Sequence, residues 1–253
     1  MTVYFVGSGP GDPELLTRKA LRILQSARIC IHAGSLVDPE ILKELPDTCI
    51  LYDSAGMNLD EIIDVMMNAY NQGTDVVRLH SGEPALYGAI GEQMRRLDLL
   101  NIPYQVIPGI SSFQAAAASL CLELTCPEVA QTVVLTRSPG RTPMPGEELW
   151  LDQFHPYATY CIFLSVDKLA SLAGSIAQKM GDSCPCAVVY HASRPDQKIL
   201  RGTLQTIGLQ VEQAGIRSTA QIIIGYTLNA TSASAESKLY DRNFNHGFRE
   251  STP

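Results

Sequence analysis

Apolar residues follow two rhythms in the first half of the chain. Compact apolar runs at residues 2–6, 29–33, 49–52, 75–79 and 104–106 alternate with stretches at 15–24, 59–71, 88–100 and 112–120, where apolar positions recur every three or four residues. A run of about five apolar residues suits a strand buried on both faces, and the slower rhythm suits a helix with one buried stripe. Their alternation predicts an α/β domain with a mainly parallel sheet. From about Thr125 the texture changes. The runs at 131–136, 159–164, 187–190, 197–203 and 221–226 are richer in β-branched residues, and only two helical stretches, 167–180 and 204–214, separate them. This predicts a second α/β domain with a mixed sheet. The expected division is residues 1–121, 122–230 and a weakly structured tail at 231–253, with Tyr240, Phe244 and Phe248 docking locally. A boundary between Leu120 and Pro127 is expected to leave a cleft between two lobes.

Composition narrows the function classes. The chain has 253 residues, 45% of them hydrophobic, enough for one large or two modest cores. Its 19 basic and 26 acidic side chains leave a net charge of -7, and no basic stripe runs along the sequence, so nucleic acid is not an expected partner. Seven cysteines, odd in number and mostly inside apolar segments, predict reduced thiols and a cytoplasmic protein. Cys184 and Cys186 form a CxC pair without a second pair or a nearby histidine, so no metal site is expected. The first residues carry no basic leader and the apolar runs are too short to span a bilayer, so no membrane association is expected.

Chemistry-bearing residues gather where strands end. The first strand runs into GSGPGD, where Gly7, Gly9 and Gly11 permit a turn that lets a ligand approach the main chain, and Pro10 stiffens it. A dinucleotide fingerprint would need a third glycine where Asp12 stands, and Pro13 starts the helix afresh, which disfavours an NAD-dependent oxidoreductase. Asp12 itself is expected to cap the following helix or close the loop. HSGEPALYG at 80–88 and IPGISS at 107–112 end two further strands, and ligands of open α/β sheets sit at such carboxyl ends, so the three loops are expected to converge. Glu83 reads as an acceptor for a ribose or an amine, or as a turn cap. Ser111 and Ser112 read as carboxylate ligands or helix caps, and His80 as a core or a loop-facing imidazole. Arg137 and Arg141 lie in the proline-rich TRSPGRTPMP, and Arg194 and Lys198 follow Tyr190 and His191. Such cations in an acidic chain fit a ligand with several carboxylates, or are solvated loop charge. No GxSxG elbow supports covalent hydrolysis.

Taken together, VGSGPGDPELLTRKA, HSGEPALYGA and VIPGISS resemble, in order and spacing, the tetrapyrrole methyltransferase superfamily, over about residues 2–228. HAGSLV, DSAGMNLDEI, QTVVLTRSPGRTPMP and YHASRPDQKI resemble most the members that methylate carbon 11 of precorrin-4 or cobalt-precorrin-4. The resemblance implies two α/β domains, a homodimer, S-adenosyl-L-methionine as methyl donor with S-adenosyl-L-homocysteine as product, and a tetrapyrrole substrate. It implies cofactor contacts from Pro10, Gly82, Glu83, Tyr87, Ser111, Ser112, Leu164, Tyr190, His191, Gln221 and Ile222. Arg137, Arg141, Arg194 and Lys198 are assigned to the ring's acidic side chains, and His80 and Tyr87 to the transfer axis. Where the family carries aspartate in GDP, this chain has Glu83. Two alternatives stand beside this reading: transfer to another precorrin carbon or to uroporphyrinogen III, and a binding protein that keeps the cofactor cleft but transfers nothing.

Overall fold

The computed structural model describes residues 1–140, 142–229, 244, 245 and 247. The expected tail lies outside the described residues apart from these last three positions, as does Arg141. The chain forms two compact units. One comprises Met1–Ala116 with the segment His191–Gln197, the other Ala117–Tyr190 with the residues from Lys198 onward.

In the first unit, five strands alternate with helices: β1 Val3–Gly7, α1 Arg18–Gln25, β2 Ile29–His32, α2 Pro39–Leu42, β3 Ile50–Asp53, α3 Leu59–Asn71, β4 Val76–His80, α4 Ile90–Leu99 and β5 Tyr104–Ile107. Helix α5, Ser112–Ser119, follows β5 and runs into the second unit. All pairings are parallel, in the order β3-β2-β4-β1-β5. The inner strands β2, β4 and β1 are buried on both faces, while the edge strands β3 and β5 are partly exposed. Val3, Phe5 and Ile31 pack with α3 and α4, while Val6, Cys30 and Leu79 pack with α1 and α2. Burying a side chain such as Phe5 or Leu24 completely is worth about 2–3 kcal/mol.

Helix limits follow local chemistry. Asn58 and Glu61 form a reciprocal capping box that starts α3 where the periodicity starts. The helical pattern expected from residue 15 begins instead at Arg18, because Thr17 accepts a hydrogen bond from the Ala20 amide, while Pro13–Leu15 form a separate tight turn.

The second unit contains β6 Thr132–Arg137, β7 Ala158–Phe163, α6 Leu169–Met180, β8 Pro185–Tyr190, β9 Lys198–Thr203, α7 Ile207–Gln213 and β10 Ala220–Ile224. Its sheet is mixed, in the order β6-β7-β10-β8-β9: β6 and β7 are parallel, and β10 is antiparallel to both neighbours. Tyr160, Ile162, Val188 and Ile222 pack against α6 and α7. A helical stretch that periodicity did not reveal, Glu147–Gln153, adds Trp150 to this core, and its indole N–H donates to Thr136 Oγ1 at 3.1 Å. Among the described residues, no helix is long and apolar enough to cross a membrane.

Candidate functional site

The parallel register brings Gly7, His32, Asp53, His80 and Ile107 to one edge of the first sheet, so the loops after β1, β4 and β5 emerge side by side. They are also bonded to each other. Ser8 donates its amide to the His80 carbonyl at 2.8 Å, and Gly9 and Gly82 exchange both backbone hydrogen bonds, at 3.2 and 2.8 Å, as an antiparallel rung beyond the parallel strands. A Cβ on Gly7 would lie 2.6 Å from the Gly82 carbonyl oxygen and 2.7 Å from the Gly109 nitrogen, and one on Gly109 would overlap that same oxygen. Glycine is therefore required at Gly7 and Gly109 by backbone-to-backbone contact, and favoured at Gly82 by a left-handed φ of 65°. The expected convergence is present, and it is made of main chain.

Side chains around this junction mostly serve it. Asp12 accepts from the Glu14 amide at 2.9 Å, the capping role expected of it. Both Glu83 oxygens are engaged: Oε1 accepts from the Ala85 amide at 2.8 Å, and Oε2 from the Gly109 amide at 2.9 Å. Of the two readings of Glu83, the turn cap is realised, extended into a clamp between the second and third loops. Ser111 is buried at the start of α5, with its amide bonded to Gln114 Oε1 at 2.9 Å, which makes it a helix-start residue; Ser112 is half-buried. The turn at 84–88 forces Tyr87 to a left-handed φ of 58° and leaves it 45% exposed.

His80, assigned to the transfer axis, ends β4 as a buried residue. It is 4% exposed, lies 6.0 Å from the Phe5 ring centroid and occupies the same strand face as Arg78, whose guanidinium donates to Gln93 and to the Ile31 carbonyl. Of its two readings, core or loop-facing imidazole, the buried one is realised. Burial, helped by the neighbouring Arg78 charge, pushes its pKa down to about 3 from the ordinary 6.5. The imidazole is therefore neutral, and its Nε2 lacks a hydrogen-bond partner.

In the second unit the candidates also meet at one sheet edge: Arg137 is paired with Phe163, Tyr190 with Ala220, and Tyr190 with Lys198. Leu164 and Thr219, beside this edge, both have a φ of 53°, and Leu164 is 69% exposed. Held left-handed residues of this kind cluster at functional sites. Arg137, read as a ligand for carboxylates or as solvated loop charge, is turned into its own loop. It donates to the carbonyls of Ser138, Thr142 and Pro143 in its own loop, while Lys168 Nζ donates to Pro139 at 2.8 Å. Ile222 is fully buried, its β10 backbone is paired on both sides, and Gln221 is 2% exposed with its amide donating to Ile162 and Ile222. Both lie in β10, the central strand of this sheet.

Lys198 lines a hollow of about 230 Å³ with Tyr190, Gly215, Arg217 and Ser218. Sequence reading overlooked Arg217. It stands in a loop without a motif, and only the turn after α7 brings it beside Lys198. The hollow has two cations and no acid in its lining. Arg194 belongs to the first unit, where its side chain is 9% exposed and paired with Asp38, so it too is withdrawn from the outward-facing cations. His191 Nδ1 lies 2.8 Å from Asp196 Oδ2. Burial pushes the Cys30 and Cys161 thiols up to about 12, which leaves them unreactive. Among the described residues, no three His, Cys, Asp or Glu side chains are placed to share a metal ion.

Gly9 and Gly82 present main chain without side-chain obstruction, α5 opens beside them, and Tyr87 offers an exposed ring. A family model described as Tetrapyrrole (Corrin/Porphyrin) Methylases matches residues 2–208. A cobalt-precorrin-4 C(11)-methyltransferase of Methanocaldococcus jannaschii is 49% identical over 250 residues, covering 98% of this chain and 96% of that protein. Among solved structures, a cobalt precorrin-4 methyltransferase of cobalamin biosynthesis superposes with a TM-score of 0.84 at 36% identity, covering 90% of this chain and 96% of that one. A uroporphyrin-III C-methyl transferase from Thermus thermophilus, complexed with S-adenosyl homocysteine, has a TM-score of 0.75 at 26% identity and covers 90% and 99%.

Proposed function

The chain belongs to the tetrapyrrole (corrin/porphyrin) methylase family, and we propose that it transfers a methyl group from S-adenosyl-L-methionine to carbon 11 of precorrin-4 or cobalt-precorrin-4 in cobalamin biosynthesis. The observation that carries this reading is the junction of Gly7, Gly82 and Gly109. This close packing fixes three loops side by side at the carboxyl edge of a parallel sheet, the edge where ligands of such sheets bind.

S-adenosyl-L-methionine supplies an electrophilic methyl on a sulfonium. The chain's task is then orientation, since an electron-rich ring carbon needs alignment more than a strong base. In the first unit, Pro10, Gly82, Tyr87, Ser112 and His191 are assigned to hold the donor: Pro10 and Gly82 as rigid floor, Tyr87 through its exposed ring, Ser112 at the helix start. Leu164 and Tyr190 keep the donor contacts that the resemblance implies. Glu83 acts by clamping the second and third loops to one another. Lys198 and Arg217 are the cations assigned to the carboxylates of the tetrapyrrole, a pairing supported by the acid-free lining of their hollow. A cytoplasmic homodimer completes the reading.

The test uses purified protein, methyl-labelled donor and precorrin-4 with and without cobalt, with NMR of the product. A label on carbon 11 is the expected result; a label on another carbon, or no transfer from either substrate, removes the assignment.

A further inference from the structure

We propose that Arg194 and Asp38 form a latch that seats the segment His191–Gln197 on the glycine elbow, so that Arg194 serves donor binding and makes no contact with the tetrapyrrole. The proposal rests on the methyl-donor reading of the elbow given above.

The segment is held in a backbone form that it would not keep unaided. His191 has a φ of 47° and Ser193 one of 72°, left-handed values that side chains with a Cβ adopt only when their surroundings impose them. Those surroundings are visible. Asp12 donates its amide to Ser193 Oγ at 3.2 Å, Ser193 donates its amide to Gln197 Oε1 at 2.9 Å, and the Arg194 amide donates to the His191 carbonyl at 2.9 Å. The His191 ring meets Asp196 at 2.8 Å, which draws the Asp196 carboxyl below its usual range.

Arg194 is the anchor of this arrangement. Its aliphatic stem lies on Gly11, so closely that a Cβ there would stand 2.6 Å from Arg194 Cγ. Its guanidinium reaches past the elbow to the loop after β2, where Nη2 donates to the Leu36 carbonyl at 3.2 Å and Nε lies 3.1 Å from Asp38 Oδ2. Nε makes no aligned hydrogen bond, so its attraction to Asp38 is that of an ion pair. The two side chains are only 9% and 13% exposed, which weakens screening by water and leaves either charge poorly solvated when the other is removed. A guanidinium covered and paired in this way is not available to a ring carboxylate. What it holds instead is a segment with His191 at one end, laid over Gly11 and Asp12 of the proposed donor floor.

Amide exchange in the donor-free chain, homocysteine-product binding by calorimetry and steady-state kinetics test this together. For Arg194→Ala the expected results are exchange about tenfold faster at Asp12, Arg194 and Gln197, and an S-adenosyl-L-homocysteine Kd and donor KM raised about tenfold. Tetrapyrrole affinity and kcat at saturating donor should stay within about twofold. Arg194→Lys should recover part of the donor affinity, because a single charge still faces Asp38. Asp38→Asn should shift the same readouts in the same direction, and it remains informative if Arg194→Ala does not fold. Unchanged exchange in both variants overturns the latch whatever the chain methylates. Loss of tetrapyrrole affinity with donor affinity intact overturns it in favour of a substrate contact. An unaltered chain that binds no S-adenosyl-L-homocysteine, while Arg194→Ala still speeds exchange, keeps the latch and refutes only the donor reading of the elbow.

Discussion

The two sheet edges that carry the candidate residues are built from different material. In the first unit the edge is main chain: Gly7, Gly82 and Gly109 touch through backbone atoms, and a rung between Gly9 and Gly82 ties two loops. In the second unit the edge is side chain, with Arg137 and Lys168 gathering the carbonyls of the 138–143 loop, and Lys198 and Arg217 lining a hollow. A backbone floor has no adjustable part, because the only change available to it is an added Cβ. A side-chain edge can exchange one donor for another and adapt to a ligand's outline. The first arrangement suits a ligand common to a whole family, and the second suits the part that differs between members.

The sharpest way to break this contrast is to put a methyl group into the floor. Gly109→Ala would place carbon against the Gly82 carbonyl, an overpacking that costs about 3 kcal/mol. Thermal unfolding should show that loss, and calorimetry should show S-adenosyl-L-homocysteine affinity down by about 100-fold. Normal donor affinity in this variant would mean the floor yields, and the contrast would fail.

His80 separates core from chemistry beneath the same edge. Between its ordinary 6.5 and its buried value of about 3, the unfolded chain takes up a proton that the folded chain refuses, so stability falls as pH falls through that window. The slope is about 1.4 kcal/mol per pH unit, or roughly 2 kcal/mol by pH 5. His80→Phe should flatten that acid limb in denaturant titrations and keep turnover; a large fall in kcat would return His80 to the reaction.

The smallest effect belongs to the adaptable edge. Arg137→Ala should cost about 1 kcal/mol or less, since its hydrogen bonds are largely exposed, and should weaken tetrapyrrole binding a few-fold while sparing the donor. Arg137→Lys should not restore the loss, because a single ammonium cannot reach the Ser138 carbonyl and the Thr142 and Pro143 carbonyls together, as Nη1 and Nη2 of the planar fork do. Full recovery with Lys would reduce the loop's needs to charge alone.

What the sequence disclosed, and what it did not, follows the range of the forces involved. Strands and helices are local, and periodicity located nearly all of them; the expected helical stretch 59–71 coincides with α3, whose start Asn58 and Glu61 cap. The stretch Glu147–Gln153 was missed because a tight helix of seven residues lacks the 3.6-residue rhythm. The three strand-end loops were legible as a group, since parallel connectivity alone sends strand ends to one edge. Side-chain engagement was not legible. Arg194 meets Leu36 across 158 residues, and nothing near Arg194 in the sequence announces the partner. The apolar run that holds Gln221 and Ile222 does not tell that β10 is the central strand of its sheet, a fact fixed by pairing that only the folded chain displays.

The reach of Glu83 sets how this fold can be recombined with its relatives. Its Oε2 meets the Gly109 amide across two loops, a span matched to a side chain of that length. A relative with aspartate there is one methylene shorter and must bring its third loop closer to make the same contact. Loops 80–88 and 107–112 therefore form a single exchangeable module. A chimera that imports one without the other inherits a gap or a collision, even though each loop looks interchangeable when aligned alone.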